Sequence, residues 1–193
     1  MVPSSRNGTG TSGQYALVSY VPEPLASFLN KLRRELEPGF PHWRAHITLL
    51  PPRPLADRDA AWTRLRELAD QIPAIRIEPA SVLVFATTSV IHLSVGAGSE
   101  ELRLAHGLLN SGALGCEELH PYCPHITLAQ SLEPHQIDDA ARRAAERWAG
   151  YRGDRSFLAD RFSFVHNADG NWVDLSEWEA GVAPAVRRPP DGG

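Results

Sequence analysis

The tetrapeptide His-Ile-Thr-Leu occurs twice, at residues 46–49 and 125–128. In extended backbone, alternate side chains project to opposite faces. Each copy then presents its His and Thr on one face and its Ile and Leu on the other. The apolar pair can anchor a strand in a core while an imidazole and a hydroxyl stand side by side on the open face. Two such strands facing one cleft present His46, Thr48, His125 and Thr127 together. Imidazole titrates near neutrality, so one neutral ring can take a proton while a protonated partner gives one. The two hydroxyls can donate to non-bridging phosphate oxygens as charge develops. This is an apparatus for acid–base chemistry on a phosphodiester. It requires no cofactor and no metal to supply a nucleophile.

Other side chains near the motifs are candidates for binding. Arg44 shares the strand parity of His46 and Thr48, which suits it to hold a phosphate. Tyr122, just before the second motif, is placed to stack on a base. His92 alternates with Ile91 and Leu93 and reads as a structural histidine. His106, His135 and His166 have no supporting context and read as surface residues.

The elements that must position these groups follow from periodicity. Residues 15–21 read as a strand. Pro24 suits a helix start, and Leu25, Phe28, Leu29, Leu32 and Leu36 follow at helical spacing. The first motif strand comes next and should end at Pro51-Pro52. Asp57 can cap a second helix carrying Trp62, Leu65, Leu68 and Ile72 on one face. Strand-like runs follow at 74–77 and 81–85. The order then begins again with a strand at 90–95, a helix that Ser99 can cap, the second motif strand, and a helix over about 134–148. Residues 156–178 read as a hairpin turning at Asn167-Ala168-Asp169-Gly170. The motif histidines lie 79 positions apart, about one such unit, as an internal duplication requires. Two related lobes about a pseudo-two-fold axis would bring both motif strands to a shared cleft.

With its two His-x-Thr motifs, the chain resembles the 2H phosphoesterase superfamily, in particular its 2′–5′ RNA ligase-like branch. Ala45-His46-Ile47-Thr48-Leu49-Leu50-Pro51-Pro52 looks like that branch's first motif and its proline exit. Pro124-His125-Ile126-Thr127-Leu128-Ala129 looks like the second, and residues 172–178 resemble its final strand pair. The likeness covers roughly residues 14–180. It implies a bilobal α+β fold, with antiparallel sheets around a central cleft. It also implies metal-independent cleavage or formation of phosphodiesters at 2′,3′-cyclic phosphates or 2′–5′ linkages. The substrate would be an RNA end or a small cyclic nucleotide. His125 would be the base and His46 the acid. One departure stands out: Ala86-Thr87-Thr88-Ser89 lacks the basic residues that RNA-processing relatives often carry there.

Composition bounds the alternatives. With 193 residues, 42% hydrophobic and 22% charged, the chain suits a single bilobal domain over 14–180 with flexible tails at 1–13 and 181–193. A net charge of -4 provides no global basic field for a long nucleic acid. Cys116 and Cys123 are the only cysteines, too few for a disulfide framework, and read as reduced thiols. No signal peptide or membrane span is evident, so a cytoplasmic protein with no obligate protein partner is expected. Two other readings compete with an enzyme. The same cleft would serve a binding module for a nucleotide or RNA end without turnover. His42, His46, His120 and His125 would make a zinc site if 42 and 46 shared a helix face, but Pro41 and the apolar alternation favour a strand.

Overall fold

The computed structural model describes residues 13–39, 43–168 and 170–183. The element order is β1 (Gln14–Tyr20), α1 (Leu25–Leu36), β2 (His46–Pro54), α2 (Arg58–Ala69), β3 (Ile75–Ile77), β4 (Pro79–Val84), β5 (Ile91–Val95), α3 (Ser99–Leu109), β6 (His125–Ala129), α4 (Ile137–Gly150), β7 (Phe157–Ala159), β8 (Arg161–Ala168) and β9 (Asn171–Glu179). The strands form antiparallel sheets in the orders β2-β1-β8-β9 and β4-β5-β6, with β3 and β7 paired separately. The fold is the expected bilobal α+β arrangement.

Local chemistry explains the boundaries. Asp57 accepts a hydrogen bond from the Ala60 amide at 3.0 Å and caps α2. The cap of α3 is Gly98 at φ 88, not Ser99. A Cβ at Gly98 would lie 2.4 Å from the Arg76 carbonyl oxygen, so both conformation and space require glycine there. The last helix begins as a 3-10 turn, Pro134–Gln136, before α4 proper. The β8–β9 hairpin turns as expected, with the Gly170 amide donating to Asn167 Oδ1 at 2.8 Å.

Both motif strands are edge strands, β2 of the first sheet and β6 of the second. The helices pack reciprocally. Helix α1 lies against β6 while α3 lies against β2, and α1 meets α4 while α2 meets α3. Exchanging the halves maps each contact onto its counterpart, as a pseudo-two-fold requires. The bulges repeat as well. Opposite β1, the register passes from Val18↔Thr48 to Leu17↔Leu50, leaving Leu49 as the extra residue. Opposite β5, it passes from His92↔Thr127 to Ile91↔Ala129, leaving Leu128. The Leu of each motif is therefore the bulged residue, with two residues of the motif strand facing one of its partner.

The expected end of the first motif strand is corrected here. Strand β2 does not end at Pro51-Pro52 but continues to Pro54. An edge strand tolerates proline because its outer N–H groups need no ladder partner, and a register shift between Tyr15 and Leu17 absorbs the Pro-Pro step. Past each motif the alternation stops. Leu49, Leu50, Leu128 and Ala129 are all buried, because the bulge turns the residue after each Leu inward.

One apolar cluster joins residues of both halves, including Ile47, Leu49, Ile126 and Leu128. The pleat predicts opposite costs for neighbouring residues. Ile126→Ala, at a site with 0% exposure, should lower stability by about 2–5 kcal/mol. Thr127→Ala, on the cleft face, should lower it by less than about 1 kcal/mol. Urea unfolding of both variants checks this, and comparable losses would contradict the assigned faces.

Candidate active site

Each motif histidine is the first residue of its strand. The carbonyl two residues earlier lies just outside the ladder and faces the ring. Nδ1 of His46 sits 2.6 Å from the Arg44 carbonyl oxygen, and Nδ1 of His125 sits 2.7 Å from that of Cys123. A carbonyl oxygen can only accept, so Nδ1 carries the hydrogen in both rings. Nε2 is then the atom left to take or give a proton. Both halves build the same tautomer by the same device.

The structure brings His46, Thr48, His125 and Thr127 to the lining of one cleft of about 1250 Å³. Burial pushes the His46 imidazole down to about 3, and the charges of Arg33, His125 and Arg44 act in the same direction against the Arg44 carbonyl bond. Burial also lowers His125, opposed by its bond to the Cys123 carbonyl. Both shifts favour the neutral imidazole at neutral pH.

Aromatic rings hold both histidines. The Trp43 ring lies 3.9 Å from that of His46 and stacks on Trp172 at 4.6 Å, nearly parallel. On the other side, Phe85 meets His125 edge-on at 5.0 Å and stacks on His92 at 3.8 Å. His92 is buried and meets His125 at 5.3 Å, consistent with a structural role.

The remaining candidates have other engagements. Arg44 lies outside the main cleft lining, where its guanidinium pairs with Asp174 at 2.7 Å and covers the Tyr20 ring at 3.6 Å. Tyr122 lines the cleft, but its ring stacks on His106 at 3.9 Å and its hydroxyl donates to the Thr48 carbonyl at 2.7 Å. It braces the first motif from the segment leading to the second. His106 and His166 are buried, contrary to the surface reading, whereas His135 is exposed. Nδ1 of His106 donates to the Leu49 carbonyl at 2.9 Å, and His166 packs against Tyr15 at 4.6 Å. Of the zinc reading, His42 lies outside the described residues, and His46 begins a strand. Among the described residues no group of three or more His, Cys, Asp or Glu is arranged to hold a metal.

Two arginines of the cleft are not legible in the sequence. Arg33, on α1, lines the cleft and donates to the Trp43 carbonyl. Its place on the α1 face turned toward β6 could not be seen without the reciprocal packing. Arg53 is 2% exposed. It donates to the Pro51 carbonyl at 2.9 Å, Asn110 Oδ1 at 2.7 Å, the Leu114 carbonyl at 2.9 Å and Glu118 at 2.5 Å. Glu118 also lies 3.3 Å from Nε2 of His106. This network ties residues 110–122 to the first motif strand. The only signal was an arginine interrupting a run of prolines.

With the geometry established, comparison with known proteins places the chain. The profile of the 2'-5' RNA ligase superfamily matches residues 21–171. The chain belongs to that superfamily. Relatives from Bacillus licheniformis and Bacillus pumilus, each bearing the name "Putative phosphoesterase", are 24% and 26% identical over 163 and 164 residues, covering 83% of this chain and 94% and 93% of theirs. The E. coli LigT crystal structure in apo form is similar in fold, with a TM-score of 0.58 at 18% identity, covering 87% of this chain and 97% of LigT. No helix among the described residues is long and apolar enough to cross a membrane.

The bracing network generates a stability test. Glu118→Ala would strip Arg53 of its carboxylate and leave a buried charge without compensation. The expected loss is about 3 kcal/mol, read by chemical denaturation. A loss under about 1 kcal/mol would mean that the network does not hold the cleft wall.

Proposed function

We propose that this superfamily member is a phosphodiesterase that opens 2′,3′-cyclic phosphates or cleaves 2′–5′ linkages, in RNA ends or nucleotides, by two-histidine acid–base catalysis. The observation that carries the reading is the matched pair of imidazoles, each fixed with Nδ1–H on a carbonyl, lining one cleft with Thr48 and Thr127. E. coli LigT, similar in fold, has been crystallised with 3'-AMP and with phosphate, which supports a nucleotide phosphate as the ligand here.

In this reading water attacks phosphorus in line with the 2′ oxygen. The neutral Nε2 takes the proton of the water as the new P–O bond forms. The protonated Nε2 of the other histidine gives its proton to the ribose oxygen as the P–O2′ bond breaks. A phosphomonoester leaves, and the two imidazoles have exchanged protonation states. With a ribose 5′-hydroxyl in place of water and O3′ as the oxygen expelled and protonated, the same course forms a 2′–5′ linkage. Thr48 and Thr127 donate to the non-bridging oxygens. We keep the assignment of His125 as base and His46 as acid. Burial first, and then the charges of Arg33, His125 and Arg44, oppose a proton on His46. A bound phosphate acts the other way, because its negative charge offsets the guanidiniums and favours imidazolium.

His46→Ala and His125→Ala should each reduce hydrolysis of nucleoside 2′,3′-cyclic monophosphates by ~100-fold or more. The double variant should be little worse than either, since the pair acts as a unit. Thr48→Ala and Thr127→Ala should lose less. Activity should survive EDTA, and loss on chelation restored by zinc would favour the metal reading. Folded single-histidine variants with near-normal turnover would refute the proposal. A wild type that binds nucleotide without turnover would instead be the binding module.

The pH dependence has a definite sign. The competent free protein has one neutral and one protonated imidazole. Both rings titrate below the usual 6.5, so kcat/KM should peak on the acid side of that value and fall as pH rises. The kcat profile should extend to higher pH, because bound phosphate retains the proton. Steady-state profiles check both limbs, and a kcat/KM optimum above about pH 8 would contradict the burial of the pair.

A further inference from the structure

Beside the cleft lies a smaller recess of about 110 Å³. Its wall contains three arginines, Arg33 and Arg34 of α1 and Arg44 just before β2. Arg33, Trp43, Thr127 and Gln130 line both the recess and the cleft, so the two spaces adjoin at one of the threonines beside the reacting phosphate. The chain as a whole carries a net charge of -4. A grouping of three guanidiniums at this one place runs against that balance.

We infer that the recess is a second phosphate subsite, holding the phosphodiester next to the reacting phosphate in an oligoribonucleotide. The inference rests on the phosphodiesterase reading and narrows its substrate class from mononucleotide to RNA end.

Two of the arginines are held in place without being used up. Arg44 is pinned by Asp174 at 2.7 Å and by the Tyr20 face at 3.6 Å. Arg33 is pinned through Nη1 on the Trp43 carbonyl. A guanidinium has five N–H donors, so these bonds fix each group and leave other donors for an anion. Held arginines lose less entropy on binding phosphate than free ones. One carboxylate, Glu37, also lines the recess. Its two oxygens accept from the Gln130 and Ser131 amides at 2.8 and 3.0 Å, so it secures the exit of β6; its charge also acts on Arg33, and one carboxylate offsets only part of three guanidiniums.

The test is calorimetric binding with turnover excluded. The probes are 3'-AMP, a diadenylate bearing a 3′-phosphate, and the same dinucleotide with an uncharged methylphosphonate linkage. The last keeps both bases and removes only the internal charge. The wild type should bind the charged dinucleotide about 10-fold more tightly than the methylphosphonate form. Its salt dependence should steepen by about 0.7 in slope, the value for one single-strand phosphate contact. Arg34→Gln, an exposed position, and Arg44→Gln should each lower that preference about threefold or more. Melting curves confirm folding, and Arg34→Gln decides the matter if loss of the Asp174 pair unfolds the other variant. Equal affinity for the two dinucleotides, a preference that survives Arg34→Gln, or no binding of any probe overturns the subsite. Failure of the phosphodiesterase reading shows separately, as charge-selective binding without hydrolysis of the cyclic form.

Discussion

The structure depends on the pleat of two edge strands. Ile47, Leu49, Ile126 and Leu128 are at most 1% exposed, and their burial fixes which way His46, Thr48, His125 and Thr127 must face. A slip of one residue in either strand would bury an imidazole and expose an isoleucine. Because each histidine begins its strand, the carbonyl two residues back is free to take its Nδ1–H. One constraint thus sets position, ring orientation and tautomer in both halves. The bulge at each motif Leu then closes the core behind the site.

The supports around this pair are asymmetric although the motifs are not. His46 stands against Trp43 and within reach of arginine charge, whereas His125 stands against Phe85 and His92. Tyr122 and His106 reach across from the second half to carbonyls of the first motif strand. Buried Arg53 pairs with half-buried Glu118, and its other donors are satisfied by Asn110 and the Leu114 carbonyl. A nearly symmetric frame therefore carries two chemically different environments, which acid–base catalysis by two identical side chains requires.

Much of this was legible in the sequence where one local rule operates alone. The paired motifs, the repeated element order, the Asp57 cap and the turn at Asn167 each follow from periodicity or from one side chain's hydrogen bonding. What was not legible depends on partners distant in the chain. Pro51-Pro52 reads as a stop, yet an edge position and a bulge opposite Tyr15 allow β2 to continue. His106 reads as a surface residue on a helix until Leu49, Glu118 and Tyr122 surround it. Arg33 carries no signal of a site in the sequence until α1 is laid against β6. Gly98 displaces Ser99 as the cap of α3 because the Arg76 carbonyl approaches too closely for a Cβ.

In the proposed reaction the two imidazoles share one substrate phosphate. Nitrogen NMR of ¹⁵N-histidine-labelled protein, titrated with 3'-AMP, tests it most directly. The Nε2 signals of His46 and His125 should shift together and saturate at a single ligand concentration, while both Nδ1 signals keep the protonated form. At least one imidazole should titrate at higher pH when the nucleotide is bound. Response of only one ring, or saturation of the two at different concentrations, would contradict the account.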